Sequence, residues 1–207
     1  MTDEDPGRAA GSTRKGQATR DRIVAAAAGL MFERGVAGTT TEEVRAAAGV
    51  SSSQLYHYFV DKKALVRAVI AYTTDAVLDA QQPLLSRLDS LEALRAWRDL
   101  AVELQRQRHC EGGCPIGSLA SELVDGWPEA RADLAVGFAR WEAEIRNGLR
   151  AMHDRGELRP EIDPDRLALA VLAALQGGLL LTQIRRETAP LEAGLDAVLD
   201  HIESFTS

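Results

Sequence analysis

The seven residues from Ser52 to Tyr58 concentrate groups that can form hydrogen bonds and stack on flat surfaces. Leu55 and Phe59 lie four positions apart, so on a helix both face inward and leave the rest of this stretch mostly outward. Hydroxyl, amide and ring groups on one exposed face suit the base edges and phosphate oxygens of a DNA groove. We therefore predict DNA contacts from Ser52, Ser53, Gln54, Tyr56, His57 and Tyr58.

Two capping signals place this face on the second of two adjacent helices. Thr40 with Glu43 three residues later predicts one helix start, and Ser51 with Gln54 predicts another. Gly49 between them is the residue type that most easily takes the left-handed conformation ending a helix. Two short helices joined this tightly are typical of a helix-turn-helix that enters DNA.

Side-chain chemistry suggests individual roles within this motif. Thr39, Thr40 and Thr41 stand at the start of the first helix, where hydroxyls and free amides favour phosphate oxygens, although at least one threonine must cap the helix instead. Gln54 can pair with adenine, and the neighbouring serines can accept or donate hydrogen bonds. The first helical turn is the part of such a recognition helix that reaches base edges.

The charge distribution agrees with DNA contact by one part of the chain. The net charge is −7, which by itself is unfavourable for a DNA-binding protein. However, residues 14–67 contain nine Lys and Arg against five Asp and Glu, whereas residues 68–207 contain fourteen against twenty-three. A basic N-terminal part can neutralise phosphates while an acidic C-terminal part remains solvated.

Several short motifs follow one another along this basic part: Phe32-Glu-Arg-Gly35, Gly38-Thr-Thr-Thr41, Ala48-Gly-Val-Ser51, Leu55-Tyr-His-Tyr-Phe59 and Asp61-Lys-Lys-Ala-Leu65. With the alanine-rich segment before them, they resemble the DNA-binding domain of the TetR family of bacterial one-component regulators. The resemblance implies an all-helical homodimer, a small-molecule pocket in the C-terminal domain, and repression of transcription that ligand binding relieves. It also implies phosphate contacts from Tyr56, Tyr58 and Lys62, with Lys63 as a weaker candidate.

We therefore predict an all-α fold with an N-terminal three-helix helix-turn-helix domain and a C-terminal helical domain for ligand binding and dimerisation. The expected division is a disordered tail over residues 1–14, a DNA-binding domain over 15–63, and a ligand-binding and dimerisation domain over 64–207. The expected partners are a palindromic double-stranded DNA operator, a small-molecule effector of unknown identity and a second copy of the chain.

Local signals predict where several helices begin and end. The first helix is expected from Thr19, a good cap, to Arg34, and a connector helix from Asp61 toward Gln81. The apolar periodicity predicts one continuous helix from Leu84 to Arg108. Asp163 before Pro164 is a strong start signal for a helix that reaches Arg186.

The final two helices are the expected dimer interface, because both have apolar faces and Gly177 with Gly178 would let helix backbones approach closely. Residues 167–184 are nearly apolar and close to membrane-spanning length, but they are interrupted by the glycine pair and flanked by charges. A buried or interfacial helix is therefore favoured over a membrane span. The N-terminal segment lacks a basic end before an apolar stretch, so a cytoplasmic protein is expected.

The two cysteines, Cys110 and Cys114, do not indicate a disulfide framework in a cytosolic protein. Cys114 precedes Pro115 at an expected helix start, where a thiol pKa is lowered, so a redox or electrophile sensor is one hypothesis. The segment Gly113 to Glu122 also resembles a signature of a TetR-like subset in which some members sense electrophiles or oxidants through this cysteine. A small buried packing role is the favoured alternative. Zinc binding with His109 lacks an obvious fourth ligand, and no metal is expected.

Aromatic and polar residues of the C-terminal part are candidates to line an effector pocket, although aromatics at helical spacing are more often core residues. The candidate ligand-binding residues are Trp97, Cys114, Trp127, Phe138, Trp141 and Gln176.

An enzyme is the alternative class of protein. The sequence has no glycine-rich phosphate loop, paired metal motif or nucleophile elbow, and its four histidines are scattered. A hydrolase using Cys114 and a distant histidine has no positive support. A DNA-binding architectural protein without a ligand is a second alternative, disfavoured because the acidic C-terminal part is too large for dimerisation alone. We therefore expect a non-enzymatic regulator without a cofactor.

Overall fold

A computed structural model describes residues 14–206, and the remainder of the predicted N-terminal tail lies outside the described residues. All regular structure in residues 14–206 is helical, apart from an isolated bridge between Leu158 and Thr206. The all-α prediction is therefore confirmed. The α-helices are α1 (Arg14–Arg34), α2 (Thr41–Ala48), α3 (Ser52–Tyr58), α4 (Lys62–Asp79), α5 (Leu91–Gln107), α6 (Pro115–Leu123), α7 (Pro128–Asp154), α8 (Pro164–Arg185) and α9 (Ala189–Glu203).

The first three helices form the head that the sequence predicts to bind DNA. Both capping boxes are present, with the side chains of Thr40 and Ser51 each accepting a bond from the third amide of the following helix. Gly49 ends α2 with φ 61°, in the left-handed region predicted for it. The prediction that Thr19 caps α1 was wrong: the helix begins at Arg14, and the Thr19 hydroxyl donates to the Lys15 carbonyl at 3.0 Å.

The connector helix α4 begins as predicted, because the Asp61 carboxylate accepts a bond from the Ala64 amide at 2.7 Å. The continuous helix predicted from Leu84 to Arg108 is instead broken into a short 3₁₀ turn over Leu85–Arg87 and helix α5. Ser90 caps α5 by accepting from the Ala93 amide at 3.1 Å. Because the Ser90 side chain accepts a hydrogen bond from a backbone amide as an N-cap, it favours the start of a new helix here over a continuous helix.

Helices α4 to α9 surround a core that is continuous with that of the head. Helix α8 packs against both α7 and α9. Gly178 is the point of closest approach between α8 and α9, since a Cβ added there would lie 2.8 Å from the Leu191 Cα. Gly177 has no atom within 4 Å of the equivalent position. Of the two glycines, only Gly178 therefore serves packing within the chain.

By length and composition alone, α8 is apolar enough to cross a membrane. However, 44% of its most apolar window is buried inside the protein, and a single helix of this kind is weak evidence for a membrane span. Its other face carries exposed leucine and isoleucine side chains, of which Leu169, Leu180 and Ile184 are each more than half exposed. Helical spacing places these residues on one stripe.

Candidate DNA interface and effector cavity

The recognition helix α3 presents the face that its sequence predicts. Leu55 and Phe59 are buried, at 2% and 4% exposure, and hold the helix against the head core. Tyr56 is 57% exposed, while the Tyr58 side chain is half-buried against the core, and its ring centroid lies 5.0 Å from that of His57 in an edge-to-face contact. The other predicted contact residues of α3 are exposed at the same face: Ser52, Ser53, Gln54 and His57.

Two predicted base-reading groups are already engaged in the capping of α3. The Gln54 side-chain oxygen accepts from the Ser51 amide at 2.8 Å, and the Ser51 hydroxyl lies 3.0 Å from that of Ser53. The bidentate pairing with adenine considered for Gln54 uses both its amide oxygen and its amide nitrogen. In this conformation the capping bond competes for that oxygen, so the side-chain nitrogen is the group better placed for DNA.

The three threonines at the start of α2 have different environments. Thr39 is 1% exposed and its hydroxyl donates to the Gly35 carbonyl at 2.8 Å, which removes it from a surface that could contact phosphate. Thr40 is exposed and bonded to Glu43 within the capping box. Thr41 is half-buried at the first position of the helix. The phosphate-contact set is therefore corrected to exclude Thr39.

Two residues that are distant in sequence form hydrogen bonds to the backbone of the turn between α1 and α2. The Glu122 carboxylate, near the end of α6, accepts from the Val36 amide at 2.7 Å and from the Ala37 amide at 2.5 Å. Lys62 at the start of α4 donates to the Val36 carbonyl at 2.6 Å. Gly35 precedes the turn with φ 75°, where a Cβ would come within 3.0 Å of the Glu122 carboxylate. A single peptide segment thus links the C-terminal domain to the head.

Sequence reasoning did not find this contact. Glu122 was part of the cysteine-containing signature, but nothing in its local sequence signals a partner 86 residues earlier. Lys62 was assigned to phosphate contact, whereas one of its three donors holds the turn.

A small cavity of about 50 Å³ lies inside the C-terminal domain, between α4, α5, α7 and α8 and the start of α6. Its walls are mostly apolar, with Gln81, Gln105 and Trp141 as buried residues that carry polar groups. The lining residues are Val77, Ala80, Gln81, Ala101, Leu104, Gln105, Arg108, Gly113, Cys114, Pro115, Trp141, Leu175 and Leu179.

Three of the six residues predicted for an effector pocket lie at this cavity. Cys114 and Trp141 line it. Gln176 lies against Cys114, since its side-chain oxygen and the Cys114 sulfur approach the same position next to Gly117. Sequence reasoning missed Gln105, which belongs to an otherwise regular amphipathic helix.

The other three predicted pocket residues lie elsewhere. Trp97 is fully buried and its indole nitrogen donates to the Gln81 side-chain oxygen at 2.9 Å, so it is a satisfied core residue. Trp127 is half-buried with the Lys63 ammonium 5.4 Å from its ring centroid. Phe138 packs against the core from a half-buried position. None of the three lines the cavity.

Cys114 is the N-cap of α6, and its sulfur accepts from the Gly117 amide at 3.3 Å. Burial nevertheless raises the pKa of its thiol, outweighing the amide bonds that act in the opposite direction. The lowered pKa expected from a helix start is therefore wrong for this residue. A buried, protonated thiol is a poor nucleophile and a poor metal ligand. Within residues 14–206, moreover, no group of three His, Cys, Asp or Glu side chains could hold a metal ion.

A larger groove of about 730 Å³ lies between α1, α4 and α6, on the side of the head. Phe32 and Tyr72 are large exposed side chains in its walls, and Glu122 lies at its edge with the turn that it holds. The groove and the small cavity share Val77, Arg108 and Pro115 in their walls. The two spaces are therefore neighbours.

Comparisons with known proteins agree with this arrangement. Residues 23–69 match the family described as bacterial regulatory proteins of the tetR family, and residues 90–198 match the tetracyclin repressor-like C-terminal domain. The chain is 26% identical to the HTH-type transcriptional repressor DhaR of a Mycobacterium species, over 87% of this chain and 90% of that protein. It is 27% identical to the HTH-type transcriptional regulator TtgR of Pseudomonas putida, over 78% of each chain.

A solved structure of a TetR transcriptional regulator from Chloroflexus aurantiacus has the same fold, with a TM-score of 0.79 and 30% identity. The match covers 94% of this chain and 98% of that one. The first family match ends within the connector helix, the second begins after it, and together they span most of the chain. This non-enzymatic family is defined by DNA binding and dimerisation, as the head and the exposed stripe of α8 suggest. The chain belongs to the TetR family of helix-turn-helix transcriptional regulators.

Proposed function

We propose that this protein is a ligand-responsive repressor that binds a palindromic operator as a homodimer and is released by a small-molecule effector. The observation that carries the proposal is the position of α6. Cys114 at its first turn forms part of the cavity wall, and Glu122 near its last turn holds the α1–α2 turn of the head. One short helix therefore touches both the candidate effector site and the DNA-binding domain.

The DNA-binding surface is formed by the exposed face of α3 and the residues flanking it. Tyr56, Tyr58 and Lys62 are assigned to phosphate contacts, and the first turn of α3 to base edges. The DNA-binding unit is the head over residues 15–63, and the effector and dimerisation unit is 64–207. Helix α4 crosses this boundary in its first turn.

The dimer interface is assigned to the exposed stripe on α8 together with the adjoining face of α9. Leu180 and Ile184 are 57% and 68% exposed, and Gly177 on the same stripe leaves open space beside the helix. Apolar side chains of this size on one face are typical of a surface covered by a partner. Two heads in such a dimer would read the two halves of a palindrome.

Release from DNA follows from the same geometry. An effector that enlarges the cavity displaces the N-terminal end of α6, and α6 transmits the displacement through Glu122 to the turn before α2. The spacing or tilt of the two heads then no longer matches the operator. A regulator with this mechanism acts in the cytoplasm, where its DNA is.

The test is selection of bound duplexes from a random DNA pool by the purified protein, run reduced and again after mild oxidation. A palindromic winner under reducing conditions supports a dimeric repressor and supplies its operator. No enriched sequence under either condition would contradict the proposal. Because Cys114 is buried as a thiol, we expect oxidation to leave binding intact. Loss of binding on oxidation, absent in Cys114→Ser, would instead identify a thiol-based sensor.

A further inference from the structure

The cavity contains polar atoms without a partner inside the protein. The buried side-chain atoms that form no hydrogen bond include the Gln105 oxygen and the Trp141 indole nitrogen. Gln105 and Trp141 are 4% and 3% exposed and both line the cavity. An unpaired buried polar atom costs roughly 1–3 kcal/mol, so two of them at one cavity indicate a site built for a polar guest.

The chemistry of these atoms restricts the guest. An indole nitrogen is only a donor, so Trp141 requires an acceptor. Gln105 presents an acceptor, so the guest must carry a donor as well. A carboxamide, or a hydroxyl with a neighbouring carbonyl, meets both requirements. An aliphatic or aromatic hydrocarbon meets neither.

The electrostatics of the cavity favour an uncharged guest. Among its lining residues the only cation is Arg108, whose side chain is exposed, and no carboxylate lines it. Burial also raises the pKa of Cys114, which shows that the interior disfavours negative charge. An anion would have only the exposed Arg108 as a counter-ion and a cation would have none among the lining residues, so a buried ion would lose more hydration than the neutral amide and indole groups return.

The cavity volume limits the size of the polar group. An engineered cavity of about 150 Å³ holds one benzene molecule. A space of about 50 Å³ therefore accepts only a few heavy atoms. The neighbouring groove is much larger and mostly apolar, with Phe32 and Tyr72 in its walls and Arg108, Glu111 and Glu122 among its charged residues. A guest larger than its polar group would extend past Val77 and Pro115 toward this groove.

Building on the proposed function, we propose that the effector is a neutral amphipathic molecule with a small head that both donates and accepts hydrogen bonds. The head lies between Gln105 and Trp141, and an apolar body extends toward the groove beside α6. This placement puts the guest against the helix that carries Glu122, so binding is coupled to the head of the same protomer.

Three six-carbon compounds that differ in their polar group test the inference on the full-length protein: hexanamide, hexanoate and hexylammonium. The readout is the ¹⁵N–¹H indole resonance of Trp141, assigned by its loss in Trp141→Phe. We expect hexanamide to shift this resonance in a saturable manner and the two ions to leave it in place. The indole resonance of Trp97, which is bonded to Gln81, is the internal control. No shift with hexanamide, or an equal shift with hexanoate, would overturn the inference.

A matched pair of variants tests the assigned partners. Gln105→Leu removes the cavity acceptor at similar volume, and we expect hexanamide affinity to fall about fivefold, the effect of one neutral hydrogen bond. Gln107→Leu on the same helix replaces an exposed glutamine and should leave affinity unchanged. Equal effects of the two variants would contradict the assignment. DNA selection without any compound separates the two proposals: operator binding without a hexanamide response refutes only the ligand class.

Discussion

The Glu122 carboxylate accepts a hydrogen bond from the Val36 amide at 2.7 Å, across 86 positions of sequence. The carbonyl of the same valine accepts from Lys62, the first residue of the connector helix, at 2.6 Å. Val36 is itself buried in the head core. The Glu122 side chain of the C-terminal domain therefore binds backbone groups of the head, and this makes the turn a defined point of coupling.

Replacing Glu122 by alanine should loosen this turn without unfolding the protein. Glu122 is exposed, so we expect its loss to cost only about 1 kcal/mol of unfolding free energy. The local effect should be larger, because the Val36 and Ala37 amides lose their acceptors. Hydrogen exchange of these two amides, followed by NMR, should be faster in the variant.

The matched control is Glu103→Ala, which removes another exposed glutamate, bonded within its own helix to Gln107. Its effect on Val36 exchange should be negligible. If both variants leave the two amides equally protected, Glu122 does not hold the turn in solution.

Two substitutions of Gln54 separate helix capping from DNA reading. Gln54→Glu keeps an acceptor for the Ser51 amide, so the stability of the head should be retained. It removes the side-chain nitrogen and adds a negative charge at the DNA surface, so affinity for the selected operator should fall at least about tenfold. Gln54→Ala removes the cap as well and should also lower the thermal midpoint.

Operator affinity measured by fluorescence anisotropy, with thermal unfolding of the same samples, distinguishes these effects. Wild-type affinity in Gln54→Glu would show that this position does not face DNA.

Local signals in the sequence accounted for the head far better than for the effector site. Capping boxes, Gly49 and the spacing of Leu55 and Phe59 act within a few residues, so their structural consequences can be inferred without knowing the fold. The Glu122 contact depends on which helices meet, and no local pattern encodes that.

The predicted pocket residues that do not line the cavity illustrate the same limit. Trp97 and Trp141 have similar helical surroundings in sequence, yet only Trp97 finds a partner for its indole nitrogen, in Gln81. A buried tryptophan in the core and one at a cavity differ in what surrounds them. That difference arises from packing between helices and is absent from the amino-acid pattern.

Replacement by alanine should destabilise the protein at Gly178 of α8 but not at the adjacent Gly177. In Gly178→Ala the new Cβ would lie 2.8 Å from the Leu191 Cα, so the helices must separate, at a cost of about 1–3 kcal/mol of unfolding free energy. In Gly177→Ala the added methyl meets no atom of the same chain, and the better helix propensity should not destabilise the folded protomer. Urea unfolding of both variants measures the difference, and equal destabilisation would contradict the packing assigned to Gly178.

A charge on the exposed stripe of α8 should prevent dimerisation. In Leu180→Glu a carboxylate would be buried between two copies of the chain without a partner, so we expect a folded monomer with operator binding weaker by at least about tenfold. The control is Val136→Glu on α7, because Val136 is 62% exposed, similar to the 57% of Leu180, but lies outside the stripe. Sedimentation velocity gives the oligomeric state. A dimer in both variants would place the interface elsewhere.

Because the Cys114 thiol is buried, the free energy of unfolding should depend on pH in the alkaline range. Burial raises the pKa of this group in the folded protein, whereas the unfolded chain ionises in the ordinary cysteine range. The folded state therefore holds the proton more tightly, and its stability, complete below the unfolded pKa, falls as pH rises through the interval between the two values. The loss is about 1.4 kcal/mol per pH unit within that interval. Urea unfolding at about pH 7 and about pH 10 should show a larger decrease for the wild type than for Cys114→Ser, which keeps a helix cap but does not ionise. Parallel decreases in the two proteins would mean that Cys114 is hydrated in solution and available as a thiolate, and the thiol-sensing alternative would then be favoured over the neutral-effector site.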